Sequence, residues 1–257
     1  MDIVVCLKQT FDTEAKIVLD SSGKIDSTGV NLVMNPYDEF AVEEALKLRE
    51  KFGGQVTLVS MGGERVTESL RTALAMGCDE AILIQDPALE SPDEWVTAEV
   101  LAKAVSQIPY DIILAGRIAV DDGSGQVAIR LADALKIPSV NCILKLETAD
   151  GKAEVTREID GGTELIEVSL PAVLTTQKGL NIPRYPSMMG IMKAKKKEIK
   201  RLTLADLGMS AADLPRKMSI MKFNLPSPRK GGMKISGEAA DAAKELARIL
   251  REEAKVI

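Results

Sequence analysis

The sequence predicts an α/β protein: a parallel sheet with helices on both faces, an antiparallel extension, and a C-terminal arm that ends in a helix. Three observations predict it. Short apolar runs at 2–7, 56–59, 81–84 and 112–115 alternate with segments of helical apolar spacing, the pattern that builds parallel sheets. The chain just after three of those runs, at 6–8, 60–63 and 116–126, is polar or Gly-rich, and ligands of such sheets lie at the strand C-terminal ends. After residue 138 the texture changes to strand-like pieces divided by Gly151 and Gly161-Gly162, which reads as antiparallel pairing.

Composition narrows the function classes. With 257 residues there is room for one large domain or one domain with appendages. A hydrophobic fraction of 46% beside 28% charged residues suits a globular core. No apolar run reaches the roughly 18–20 residues of a membrane span, and the strand-like start carries no basic region of a signal peptide. Three scattered cysteines without a CxxC argue against a disulfide framework or a zinc site and for a cytoplasmic setting. A net charge of −5 makes no general case for nucleic acid. Histidine is absent, which removes the commonest general base and the Ser-His and Cys-His pairs.

In order, the first strand (2–7) runs into Lys8-Gln9-Thr10, and residues 16–34 read as a hairpin excursion around Asp20-Ser21-Ser22-Gly23. Asn35-Pro36 starts a turn, and Asp38 and Glu39 favour the N-terminus of a helix that Gly53-Gly54 ends. A helix over about 65–76 stops at Gly77. Another covers 92–106. Strands are expected at 140–146, 153–158, 164–169 and 173–176, forming the extension (140–176).

The most informative stretch is 111–139. The strand 112–115 leads into Asp121-Asp122-Gly123-Ser124-Gly125-Gln126, then into a helix read from 123 to 135. Two glycines permit close approach of a ligand to the backbone, and free N–H groups of a first helical turn can hold a phosphate. The two aspartates repel phosphate and suit capping or ribose hydroxyls instead. An ordinary Gly-rich strand-to-helix turn explains the same residues, and the pattern is neither a Walker loop nor GxGxxG.

Farther on, Pro183 and Pro186 exclude a regular helix over 178–200. Met188, Met189, Ile191 and Met192 are apolar there, and methionine suits adaptable binding faces. The lysines at 193 and 195–197 read as a solvated helix face or a docking patch. Residues 206–237, with Pro215, Pro226, Pro228 and Gly231-Gly232, read as an extended arm, followed by an amphipathic helix over 237–255. The domains expected are 1–205, including the extension and a loop at 180–200, and 206–257.

Several long motifs, in order, resemble the β subunit of electron-transferring flavoprotein. They are Val4-Val5-Cys6-Leu7-Lys8-Gln9, the run from Asn35-Pro36-Tyr37-Asp38-Glu39 to Ala45, Arg71-Thr72-Ala73-Leu74-Ala75-Met76-Gly77, Arg157-Glu158-Ile159-Asp160-Gly161-Gly162, Leu180-Asn181-Ile182-Pro183-Arg184-Tyr185, and Ile191-Met192-Lys193-Ala194-Lys195. The resemblance covers nearly the whole chain. It implies an adenine-nucleotide-hydrolase-like fold and a heterodimer with an α subunit that carries FAD, with residues 206–257 packed on that subunit. It also implies either AMP or a second FAD on this chain, the second FAD belonging to electron-bifurcating forms. The expected partners are flavin dehydrogenases such as acyl-CoA dehydrogenase, and ferredoxin or flavodoxin, NADH, or a quinone oxidoreductase.

By motif, the resemblance assigns the nucleotide pocket to Cys6, Asn35, Pro36, Tyr37, Asp38, Met61, Gly116, Asp121, Asp122, Gly123, Ser124, Gly125, Gln126 and Val127. It assigns partner docking to Met188, Met189, Ile191, Lys193 and Lys196, with Met188 where a leucine is common. Glu158 matches an acid near the α-subunit flavin domain. The turn at 121–126 fits neither the single-path nor the bifurcating pattern of the family, because Gly125 stands where asparagine or alanine is expected. A residue without a side chain leaves room for a diphosphate, which leans towards the second FAD. No catalytic acid or base and no metal is expected on this chain. Two other classes are weighed: a nucleotide-binding regulatory module of the stress-protein type, homodimeric and without flavin, and a nucleotide-hydrolysing enzyme, for which a Walker lysine is missing.

Overall fold

The computed structural model describes residues 1–228 and 231–257. Its elements begin with β1 (Asp2–Cys6), β2 (Gln9–Phe11), β3 (Leu32–Met34), α1 (Pro36–Phe52), β4 (Gln55–Met61), α2 (Val66–Met76) and β5 (Glu80–Ile84). They continue with α3 (Glu94–Val105), β6 (Ile112–Gly116), α4 (Val127–Leu135), β7 (Ser139–Ala149), β8 (Lys152–Ile159), β9 (Gly162–Ser169) and β10 (Val173–Thr176). The chain ends with α5 (Met188–Lys196), β11 (Lys200–Leu202) and α6 (Ala239–Arg248). Nine strands form one sheet in the order β11-β5-β4-β1-β6-β10-β7-β8-β9, and β2 pairs separately with β3. Neighbours from β11 to β7 are parallel, while β7-β8 and β8-β9 are antiparallel. The fold is therefore α/β, as the alternation of runs predicts.

The two-residue period of a strand divides the core. Ile3, Val5 and Leu7 face a cluster that contains Ala41, Val42 and Leu46 of α1 and Leu70 and Leu74 of α2. Val4 and Cys6 face the opposite cluster, with Val100 and Leu101 of α3 and Leu131 of α4. Each large aliphatic side chain buried completely, such as Leu58 or Leu114, contributes about 1.5–3 kcal/mol. A strand covered on both faces is mostly apolar and is buried along its whole length, and any polar residue in it needs a partner, as the Thr176 hydroxyl finds in the Tyr37 carbonyl.

That rule explains a correction. Residues 173–176 read as part of the antiparallel extension, yet β10 lies between β6 and β7 and is parallel to both. All four of its residues are buried, so it is a central strand. The outer strand β9 alternates half-buried and exposed residues, as an edge with one wet face must. The extension is continuous with the parallel sheet through β7.

Two helix expectations also shift. Helix α4 begins at Val127 and not at 123. Asp122 Oδ1 accepts the Ser124 N–H at 2.9 Å, an Asx-type turn that competes with helix, and Gly125 has φ of +62°. Conversely, the proline-bearing segment after 178 does form a helix. Pro186 precedes the N-cap Ser187, whose hydroxyl accepts the Gly190 N–H at 3.0 Å, so the proline closes the approach without interrupting α5.

The chain divides into two compact units, Met1–Ile17 with Asp26–Met221, and Val18–Ile25 with Lys222–Ile257. In the first, Leu204, Leu207 and Leu214 are buried on the α3–α4 side. In the second, Leu19 bridges Ile25, and α6 is amphipathic with no residue of its own buried. Arg229 and Lys230, inside the expected arm, lie outside the described residues.

Candidate functional site

The parallel strands β1, β4 and β6 end together, and a cleft of about 460 Å³ opens there, within the usual range for small-molecule sites. Its lining takes Cys6 and Lys8 from the β1 exit, Met61 from β4, Gly116 and Arg117 from β6, the 121–128 turn and helix start, and Asp93, Thr97 and Leu101 from the start of α3. Met218 and Ile220 complete it.

Of the residues expected to form a pocket, the fold gathers Cys6, Asn35, Asp38, Met61, Gly116, Asp121, Asp122, Ser124, Gly125, Gln126 and Val127 around this cleft. Pro36, Tyr37 and Gly123 do not line it. Pro36 opens α1. The Tyr37 ring lies under the Arg117 guanidinium, 5.2 Å from its centroid, and the Tyr37 carbonyl accepts the Thr176 hydroxyl at 2.9 Å. Gln9 turns away, its amide donating to the Arg65 carbonyl and Ser69 Oγ.

Asn35 and Asp38 line the cleft and also brace its frame. Asp38 is buried. Its Oδ2 accepts the Lys8 N–H at 2.7 Å, and its Oδ1 accepts the Gly116 N–H at 2.9 Å and the Asn35 amide at 3.1 Å. The Asn35 amide also donates to the Ile118 carbonyl at 3.0 Å, and Asn35 Oδ1 accepts the Val120 N–H. One buried pair thus fastens the exits of β1 and β6 to the start of α1. Burial pushes the Asp38 carboxyl up to about 6 against the pull of these donors. Burial, with Asp38 nearby, pushes the Cys6 thiol up to about 12, so at neutral pH Cys6 is an apolar thiol.

At the mouth, Lys8 Nζ donates to Asp121 Oδ1 at 2.8 Å and to Asp122 Oδ2 at 2.7 Å. Burial pulls the Lys8 ammonium down, and the two carboxylates more than restore it, leaving it above its ordinary value. The awkward aspartates are therefore tied to a cation. Just beyond them, among the described residues, the N–H groups of Gly125, Gln126, Val127 and Ala128 donate to no protein acceptor. Orphan N–H groups at a helix start attract oxygen-rich anions, so the residues present fit a phosphorylated ligand. At Gly125, which has a left-handed φ, an added Cβ would approach only the Arg117 carbonyl, at 3.4 Å.

Sequence reasoning missed the α3 side of the cleft. The signal available was Asp93 as a helix cap: its Oδ1 accepts the Val96 N–H at 2.8 Å. The return of Met218 and Ile220 to the cleft left no mark in the local sequence. The expected docking residues group elsewhere, on α5, where Met188 is 78% and Met189 69% exposed. Arg71 of α2 holds that helix by donating to the carbonyls of Ala194 and Lys197.

An open parallel sheet with a cleft at its carboxyl edge, a Gly-rich turn and free N–H groups defines an α/β protein of the ligand-cleft class. The chain belongs to the electron transfer flavoprotein family, whose domain model, described as "Electron transfer flavoprotein domain", matches residues 22–207. It is 48% identical to the electron transfer flavoprotein subunit beta of Bacillus subtilis (strain 168), over 100% of both chains. It is 47% identical to the subunit of the same name from Syntrophomonas wolfei, over 100% of this chain and 98% of that one. It is also 38% identical to the caffeyl-CoA reductase-Etf complex subunit CarD of Acetobacterium woodii, over 90% of each. Among the described residues no helix is long and apolar enough to cross a membrane.

Proposed function

We propose that this chain is the small subunit of a heterodimeric electron-transferring flavoprotein and that its cleft seats an adenine nucleotide. The observation that carries the reading is the row of unengaged N–H groups at 125–128 beside a Lys8-neutralised acidic turn. Ser124 and these N–H groups would hold the phosphates, and the apolar lining around Met61 and Leu101 would take the ring. Asn35 and Asp38 line the cleft and shape it through their hydrogen bonds within the protein. FAD is the nucleotide we favour over AMP, because residue 125 brings no side chain into the turn. When bound, a flavin supplies the redox chemistry, and the protein's part is position and electrostatics.

The α subunit, carrying its own FAD, is the proposed partner, gripped by residues 222–257. Acyl-CoA-type flavin dehydrogenases are the proposed electron donors, docking on Met188, Met189 and Ile191 with Lys193 and Lys196 at the rim. Two flavins in one heterodimer would suit bifurcation of an electron pair to two acceptors. The test is to co-purify the heterodimer, denature it, and identify and count the nucleotides released. Two FAD per heterodimer supports the favoured reading, one FAD with one AMP supports the single-path form, and no nucleotide from this chain overturns the reading.

A further inference from the structure

The least expected wall of the cleft is a strap, residues 215–221, that runs past the start of α3. Met218 and Ile220 of this strap line the cleft although they are 51% and 63% exposed. Such side chains would move freely unless the backbone carrying them were fixed. It is fixed at one carboxylate. Asp93 Oδ2 accepts the backbone N–H groups of Lys217 and of Met218, the latter at 3.0 Å. Its other oxygen, Oδ1, caps α3 through Val96. On either side the strap is steadied by Arg216, which donates to the Glu90 carbonyl, and by Lys217, whose ammonium stands 4.6 Å from the centroid of the Trp95 ring.

The rest of the lining contains Leu101, Ala115 and Leu131 on its apolar side and the 121–128 turn on its polar side. With the strap in place, apolar surface bounds the cleft from two elements that are distant in sequence, α3 and the strap. A planar purine suits apolar walls of this kind, and a methionine sulfur adds a favourable contact with an aromatic ring. We propose that Met218 and Ile220 form a removable wall over the ring of the bound adenine nucleotide, and that Asp93 is the latch that keeps this wall closed. The inference rests on the reading of the cleft as a nucleotide seat. It assigns retention of the nucleotide to residues outside the β1–β6 strand exits.

The latch can be separated from the helix cap. Asp93→Asn keeps an oxygen for the Val96 N–H but turns an amide donor towards the Lys217 and Met218 N–H groups, so the cap survives and the strap is released. Met218→Ser with Ile220→Ser leaves Asp93 intact and removes the apolar wall from positions that are more than half exposed. The experiment uses the purified heterodimer. The nucleotide it carries is identified after denaturation, and its departure on dilution is followed by flavin fluorescence, or by exchange of radiolabelled AMP if AMP is found. Both variants are expected to release nucleotide at least tenfold faster than the wild type, with circular dichroism unchanged. If the wild-type heterodimer carries no nucleotide on this chain, the reading of the cleft fails and this inference falls with it. If the wild type carries one and the double serine variant loses it no faster, the wall is overturned and the reading of the cleft stands. If the double serine variant releases faster but Asp93→Asn does not, Asp93 as the latch is overturned.

Discussion

Asp38 Oδ1 lies 2.9 Å from the N–H of Gly116, and a Cβ placed on residue 116 would stand 2.4 Å from that same oxygen. The bond exists only because residue 116 lacks a side chain. Gly116→Ala should push Asp38 and Tyr37 aside and cost about 1–3 kcal/mol, measured by denaturant unfolding against the wild type. A loss below about 0.5 kcal/mol would mean that the β6 exit yields more easily than this packing implies.

Asp38 also sets a pH dependence. Its carboxyl is pushed up to about 6 in the folded chain, first by burial, from an ordinary value of about 4. Below both values it is protonated folded and unfolded alike, and its contribution to stability is complete. Between them only the unfolded chain gives up the proton, so stability falls as pH rises, levelling off above about 6. The difference between wild type and Asp38→Asn should therefore shrink by roughly 2–3 kcal/mol from pH 4 to pH 6.5. A difference that stays flat over that window would contradict the raised value.

Lys8 stands between two aspartates at the mouth of the cleft. Lys8→Met should weaken nucleotide binding by about three- to tenfold, in keeping with exposed ion pairs, and the loss should lessen in high salt. Isothermal titration of nucleotide-free heterodimer at two ionic strengths reads both effects. Tighter binding by the variant would show that Lys8 serves the aspartates alone.

Gly125→Asn tests the choice of nucleotide. Asparagine tolerates a left-handed φ better than most residues, and a Cβ at this position meets only the Arg117 carbonyl, at 3.4 Å, so folding should survive. Flavin per heterodimer should drop from two to one. An unchanged ratio of two would remove the blocking role of residue 125, and a wild-type ratio of one would remove its premise.

The Met-rich helix α5 is approached through a clamp. Arg184 binds buried Glu43 through its Nε at 2.8 Å and also reaches Glu50, while Asn181 donates to Glu44 and to the Phe40 carbonyl. Met188→Glu should raise the dehydrogenase KM about tenfold or more with no change in Tm, since the side chain is 78% exposed. Arg184→Ala should raise KM and also destabilise by about 1–3 kcal/mol, because it strands a buried carboxylate. Steady-state kinetics with an acyl-CoA dehydrogenase, paired with thermal melts, separate the two. An unchanged KM for Met188→Glu would move the docking surface off α5.

Periodicity and residue type were enough to read most strands and helices of the first 135 residues, although Gln9–Phe11, read as a polar turn, is strand β2 and α4 starts at Val127. Val4, Val5 and their counterparts are apolar on consecutive positions, and only a strand covered on both faces accounts for that. The three polar strand exits were legible for the same reason, since parallel strands deliver their ends to one edge. Local spacing could not say that 173–176 inserts between β6 and β7, because strand order depends on which apolar edge remains open after the chain has folded back.

Residue chemistry by itself determined the α/β class, the strand-exit edge where the cleft opens, and the motifs of the flavoprotein family. Only the tertiary structure decided that Asn35 and Asp38 are buried frame, that Lys8 neutralises Asp121 and Asp122, and that Met218 and Ile220 return to the cleft under Asp93. The physical reason is range: propensity and periodicity act over a few neighbours, whereas burial and hydrogen bonding join residues such as Asp93 and Met218, 125 positions apart.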